Sequence, residues 1–512
     1  MTRQQWWIGL GLAIATVIVV MVNQRDVGFA RDETVYMGAA PRYADFWLHP
    51  WRGGIDATFG GAMGGGNNPE HPPLVKTLEG FSYKTTSWLL GDQAAFRLPS
   101  ALLHGCCVLL VYLFTLHLWG LAEAIIAALC LVVLPRALFH AGLACFDAPI
   151  MATWFATIYA YWRCLDGRKW PWQVGVAFGL ALATKHTAVL LPFALAIHYA
   201  ILCVRANKVL HPMMIASVAV LGPLVLFVLW PYLWLDPIGR VREWLGFHMH
   251  HVHYNFEYLG ENWNAPPFPW HVALVTTLFT VPTATLVSAG FGVYAWIRRT
   301  VTDDKLPGVL LALSAAASMG PFFLGSTPIF GAEKHWMPAL PSLCIAAGVG
   351  AVWAAKRLPR LKQHVAVAIV GGAVVLAGAT ETIVAHPYSL TWYSALAGGA
   401  PGGADRGMNR QFWGVAARGV VPFINSQPPG SVYSHDASPA WGWYERIGLL
   451  AHGHPDSGHE DAGVASSKYA IVIHEKHFNR HDYMIWKAYG TLAPVYVLRA
   501  DGVPIVSVYK RP

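Results

Sequence analysis

About eleven apolar runs punctuate this chain, most of them long enough to cross a bilayer, and they leave it few ways to fold. A backbone in hydrocarbon must satisfy its own polar groups, which helices do within one segment. Taking roughly 20 residues as one helical span, candidates fall at 6–22, 99–118, 120–135, 148–163, 172–184, 187–204, 213–233, 272–296, 307–324, 338–355 and 366–385. The expectation is an α-helical polytopic membrane protein, with the short runs 120–135 and 172–184 tilted or broken. Composition agrees: 55% of the 512 residues are hydrophobic, 12% are charged, and mean hydropathy is +0.40. The first run has a basic start at Arg3 but no small-x-small cleavage site before Asn23, so it reads as a retained helix.

Lys and Arg in short loops set orientation. One set of alternate loops holds Arg163, Arg168 and Lys169, then Arg205 and Lys208, then Arg298, Arg299 and Lys305, then Lys356, Arg357, Arg360 and Lys362, against Asp166, Asp303 and Asp304. That side is expected to be cytoplasmic, together with the N-terminus, and an odd number of spans puts the C-terminus outside. The same cations cover the whole formal charge of +8, so the basic balance reports topology and gives no reason to invoke nucleic acid. Cys106, Cys107, Cys130, Cys145, Cys164, Cys203 and Cys344 lie in or beside spans without metal-like spacing.

Two regions are expected: a membrane domain over 1–385, including outer loops 23–98 and 234–271, and a small extracytoplasmic α/β domain over 386–512. In the first loop Tyr36, Ala39, Ala40 and Tyr43 recur at helical spacing, followed by a glycine-rich linker over 60–66 and then His71-Pro72-Pro73. In the second loop His248, His250, His251 and His253 admit a metal reading, against the plainer account of an interfacial helix bearing Trp244, Phe247, Tyr254 and Phe256. The tail predicts strands near 468–474 and 495–499, an amphipathic segment over 483–489, and a hairpin turn at Asp501-Gly502 into 505–508.

The candidate chemistry gathers at the outer ends of the spans. Asp32 and Glu33 are adjacent just beyond the first span, where paired carboxylates are costly unless they bind or react. Asp147 stands two residues before Pro149, which suits a helix cap as well as a second acidic site. Arg97, Arg136, Lys185 with His186, and Lys334 with His335 fall where the topology rule disfavours cations, and together they suggest a bound anion. Lys185 is the sharpest, being flanked by almost nothing polar, although a lysine also snorkels to the interface cheaply.

These residues resemble the membrane-embedded GT-C glycosyltransferases that use polyprenyl-phosphate sugars, among them protein O-mannosyltransferases and lipid A aminoarabinose transferases. The resemblance rests on Asp32-Glu33 with Tyr36, His71-Pro-Pro-Leu74 with Lys76, Arg97-Leu98, the Asp147 loop and Ala183-Thr-Lys-His-Thr187. It extends to Glu333-Lys-His-Trp-Met-Pro338, His386-Pro-Tyr-Ser-Leu390, Tyr393 and Phe412-Trp-Gly414. His71 stands where aminoarabinose transferases carry a lysine, which argues against lipid A as acceptor. The resemblance implies transfer of a sugar from a polyprenyl-phosphate donor to an acceptor hydroxyl of a lipid, glycan or protein on the extracytoplasmic face of the cell (inner) membrane. Asp32 is then the candidate base, with Glu33 and Asp147 beside it, and Lys185, Lys334, Arg97, Lys76, His71, His186 and His335 are candidates for the donor phosphate. A divalent cation is left open. The competing class is a lipid-phosphate transporter or flippase, which needs the same cations, though no matching halves are visible in the chain.

Overall fold

The computed structural model describes every residue except 51, 62, 166–169, 207–210 and 300–305. Arg168, Lys169, Lys208, Lys305, Asp166, Asp303 and Asp304, which enter the orientation argument, lie outside the described residues. Helices dominate. Six are long and apolar enough to cross a membrane: Arg3–Asn23, Asp92–Leu118, His186–Arg205, Pro212–Leu229, Met337–Ala355 and Gln363–Ala385. Two bent pairs raise the number to eight: Leu121–Val132 with Pro135–Ala141 at 68°, and Val272–Thr280 with Thr283–Arg298 at 119°. Both breaks fall at prolines, Pro135 and Pro282, which remove a helix donor and clash with the preceding turn. This is fewer than the eleven expected. The run 172–184 is a helix too short to span alone, and Pro307–Phe323 is likewise short. The run 148–163 is the helix Asp147–Leu165, diluted by Asp147, Thr153, Thr157, Tyr159, Tyr161 and Arg163.

Burial sorts these helices into layers. The most apolar window of Met337–Ala355 is 83% buried, so this helix is central, whereas that of Gln363–Ala385, at 17%, presents its apolar surface outward. Small residues bring the central helix close to Thr283–Arg299: a Cβ on Gly292 would collide with the Ala346 carbonyl, and one on Gly350 with that of Ser288.

The first loop folds as its periodicity predicts. Tyr36, Ala39, Ala40 and Tyr43 are buried on one face of the helix Arg31–Leu48, which packs against Leu74–Leu90. The tail strands are Tyr469–Ile473 and Tyr496–Ala500, and the turn at Asp501-Gly502 leads into Val503–Lys510. A parallel strand, Val432–Tyr433, absent from the sequence reading, completes a four-stranded sheet in the spatial order Val432–Tyr433, Tyr469–Ile473, Val503–Lys510, Tyr496–Ala500. One face of this sheet shares an apolar core with the first loop: Ile471, Val506 and Val508 cluster with Trp441, Tyr444, Phe29 and Met37. The tail is thereby seated on the start of the helix that carries Asp32.

Candidate active site

Asp32 and Glu33 occupy the first turn of Arg31–Leu48, where exposed amide groups favour acids. Adjacent residues on a helix point about 100° apart, and here the pair divides: Asp32 faces a cavity while Glu33 faces protein. Glu33 is wholly buried. Its carboxylate accepts from Arg97 Nε at 2.7 Å and Nη2 at 2.8 Å, and from the amides of Ala144 at 2.8 Å and Ala30 at 3.1 Å. Arg97, equally buried, spends its other donors on the carbonyls of Gln24, Val27 and Gly28. Neither Glu33, expected in catalysis, nor Arg97, expected on phosphate, lines the cavity; the pair ties the helix Asp92–Leu118 to the end of the first span and to the loop.

Lys76, expected on the donor phosphate, likewise does not line the cavity. Its ammonium is buried against the carbonyl of Asn68, Asn68 Oδ1 at 2.9 Å, the carbonyl of His71 at 2.9 Å and the Tyr43 hydroxyl at 3.2 Å, so it holds the loop ahead of the two prolines. Burial pulls this ammonium down to about 7. The glycine-rich segment, expected to be a plain linker, is tied to the same loop by the Gly64 amide, which donates to Glu70 at 3.0 Å.

The remaining candidates converge on one cavity of about 890 Å³. Asp32 and Asp147 line it with Lys185 and Lys334, and His71, His186 and His335 complete its polar wall; Val35, Phe146, Leu190 and Trp244 make it apolar elsewhere. Lys185 ends the helix Trp172–Thr184 in an extended conformation, φ −154° and ψ 141°, which turns its side chain out of the helix path. Its Nζ lies 2.7 Å from Asp147 Oδ1, at the start of Asp147–Leu165. Lys334 Nζ lies 3.5 Å from Asp32 Oδ2 and 3.9 Å above the Trp413 ring. Burial brings the Lys334 ammonium below its ordinary value, opposed by the two carboxylates. Burial, and then Lys76, depress His71 well below its ordinary value.

Further groups hold this constellation from behind. His140 lies 3.9 Å from Asp147 and 3.8 Å from Glu333, and Glu333 pairs with Arg136 at 2.8 Å. Burial opposes the charge on Glu333, but Arg136 and His140 hold its carboxyl below the usual range. Arg136 also donates to the carbonyls of Leu390 and Trp392. Arg31, beside Asp32, meets Asp436 of the tail at 2.9 Å, and its amide donates to the Trp413 carbonyl at 3.0 Å. His140 and Asp436 escaped the sequence reading. His140 sits in an apolar helix with no acid near it in sequence, and Asp436 sits in a turn-like stretch, so neither carries a local signal. The helix Pro237–Met249 turns Trp244 and His248 into the cavity wall, where the Trp244 indole donates to the Glu70 carbonyl at 3.1 Å; it was expected at the interface instead.

Residues 70–233 match the family model described as dolichyl-phosphate-mannose-protein mannosyltransferase. That segment carries His71, Lys76, Arg97, Asp147, Lys185 and His186. Among solved structures, the fold matches ArnT from Cupriavidus metallidurans bound to undecaprenyl phosphate, with a TM-score of 0.53 and 14% identity over 99% of this chain and 98% of that one. The chain has the GT-C glycosyltransferase fold. The same GT-C architecture recurs in the oligosaccharyltransferase of Archaeoglobus fulgidus in the apo form, with a TM-score of 0.52 and 14% identity over 94% of this chain and 72% of that one. A complex of that archaeal enzyme, AglB, with an inhibitory peptide and a dolichol-phosphate matches with a TM-score of 0.52 and 12% identity, over 96% of this chain and 72% of that one. No curated protein matches the sequence. The GT-C resemblance drawn from scattered motifs is thus upheld at the level of the fold.

Proposed function

We propose that this protein transfers a sugar from a polyprenyl-phosphate donor to an acceptor hydroxyl, in a cavity open to the extracytoplasmic side of the cell (inner) membrane. The observation that carries the reading is the pairing of two cavity carboxylates with lysines, Asp32 with Lys334 and Asp147 with Lys185, within one chamber of mixed polarity. ArnT with undecaprenyl phosphate and AglB with dolichol-phosphate support a lipid phosphate as the donor's carrier.

The acceptor oxygen attacks the anomeric carbon as the bond from that carbon to the phosphate oxygen breaks. Asp32 takes the hydroxyl proton, and the departing polyprenyl phosphate carries the bonding electrons away. Its gathering negative charge falls to Lys185 and Lys334, whose ammonium groups exchange a carboxylate contact for a phosphate one. Asp147 faces the positive character that develops on the sugar. A single displacement inverts the anomeric centre. Reconstitution with a radiolabelled polyprenyl-phosphate hexose tests this reading: release of free polyprenyl phosphate together with a labelled acceptor supports it. Movement of the intact lipid across the bilayer without sugar transfer would instead identify a flippase.

A further inference from the structure

Three histidines from distant stretches of chain meet on the cavity wall. His71 precedes the two prolines, His186 follows Lys185, and His248 comes from the helix Pro237–Met249. One ring nitrogen of each lies within 4.8 Å of the other two. The His186 and His248 rings stack with centroids 3.8 Å apart, and His71 is 5.9 Å from His248. Aromatic packing accounts for part of this, since His71 also touches Phe146 and Tyr36. Packing does not account for the nitrogens. The Nδ1 atoms of His71 and His186 are buried without a hydrogen-bond partner among the described residues, a costly arrangement unless something is bound there.

His248 supplies the second sign. Its Nε2 lies 2.9 Å from the Glu70 carbonyl, which only accepts, so Nε2 carries the proton and Nδ1 the lone pair. A backbone carbonyl fixing one ring nitrogen is the support that orients metal-binding imidazoles.

We propose that His71, His186 and His248 bind one divalent transition-metal cation of the zinc type, open on the cavity side to a fourth ligand. Three imidazoles with no carboxylate suit zinc rather than magnesium or calcium, which demand oxygen. Zinc-to-nitrogen bonds of about 2.0–2.1 Å place tetrahedral ligand atoms roughly 3.4 Å apart, so the site contracts on binding by side-chain rotation. Lys185 and Lys334 share the chamber, and the fourth ligand that suits them is a phosphate oxygen. That identity alone rests on the proposed transfer reaction; the metal site does not.

The test is titration of the purified full-length chain in detergent with Co²⁺ after chelation. The expected result is one Co²⁺ per chain with the visible bands of a four-coordinate site, displaced by Zn²⁺. His186→Ala and His248→Ala, each confirmed folded by its melting profile, are expected to weaken binding at least roughly 100-fold, while Asp32→Asn binds as wild type. Wild-type protein without those bands, or folded histidine variants that bind normally, would overturn the site; if the variants do not fold, the wild-type spectrum decides alone. A spectrum unmoved by inorganic phosphate would remove the fourth ligand and leave the metal. Co²⁺ binding by a protein that transfers no sugar would sink the transfer reaction and spare this inference.

Discussion

Replacing Arg97 with methionine separates a structural lock from a phosphate ligand. The guanidinium donates to both Glu33 oxygens, at 2.7 and 2.8 Å, and to three carbonyls at 2.8–3.0 Å, with no exposed surface. Methionine fills much of the volume and donates nothing. Glu33 would then keep two backbone amides around a carboxylate that has lost its guanidinium partner and has no exposed surface. Removing one partner of a buried ion pair costs about 3–5 kcal/mol, and each carbonyl that finds no other donor adds about 1–3 kcal/mol. Glu33→Gln in the same chain removes the unpaired charge, so the double variant should recover part of the loss, a coupling of about 0.5–3 kcal/mol. The buried cysteines Cys107, Cys130, Cys145, Cys164 and Cys344 make a thiol-reactive dye a direct reporter of unfolding on heating, with exposed Cys106 as a constant baseline. The expected outcome is a lowered midpoint for Arg97→Met, partly restored in the double variant. A variant that melts with wild type yet loses affinity for lipid phosphate would refute the lock and return Arg97 to the phosphate.

Three further outcomes follow from the geometry. Lys185→Ala and Lys334→Ala each remove a charged donor worth about 1.5–3 kcal/mol, so binding of a polyprenyl phosphate, measured by competition, should weaken roughly 10- to 100-fold. Asp436→Asn breaks the contact by which the tail holds Arg31 beside Asp32; transfer should fall several-fold while hydrogen exchange rises in the helix Arg31–Leu48, and unchanged exchange there would dissociate the tail from the site. Burial holds His435 at about 3 against 6.5 in a free chain, so between those values the unfolded state binds more protons. The tail's stability is therefore fully present above pH 6.5 and declines as pH falls toward 3, and His435→Phe should flatten that decline in the exchange of Tyr469–Ile473.

The sequence exposed charge in the wrong place more readily than it exposed the use made of that charge. Asp32, Asp147, Lys185 and Lys334 could be picked out because each interrupts or borders an apolar run, where an ionic group carries a high cost. Glu33, Arg97 and Lys76 bear the same mark, yet they are consumed by one another and by backbone carbonyls. Periodicity cannot separate Asp32 from Glu33; the helix register does, together with the partner each finds across the fold. His140 and Asp436 depend wholly on long-range packing, as does the meeting of His71 and His186 with His248, which in sequence had only neighbouring histidines for company. The tail strands were legible from β-branched runs and one Asp-Gly turn, whereas the two-residue strand Val432–Tyr433 is too short to show a pattern.

The most direct test of the account is a single-turnover comparison of wild type and Asp32→Asn in proteoliposomes, following release of polyprenyl phosphate from a labelled polyprenyl-phosphate hexose. Loss of a positioned base predicts a fall of roughly 10²–10⁴ in rate, with lipid-phosphate affinity and melting midpoint retained. Equal rates in the two proteins would contradict the role assigned to Asp32 and, with it, the chemistry assigned to the cavity.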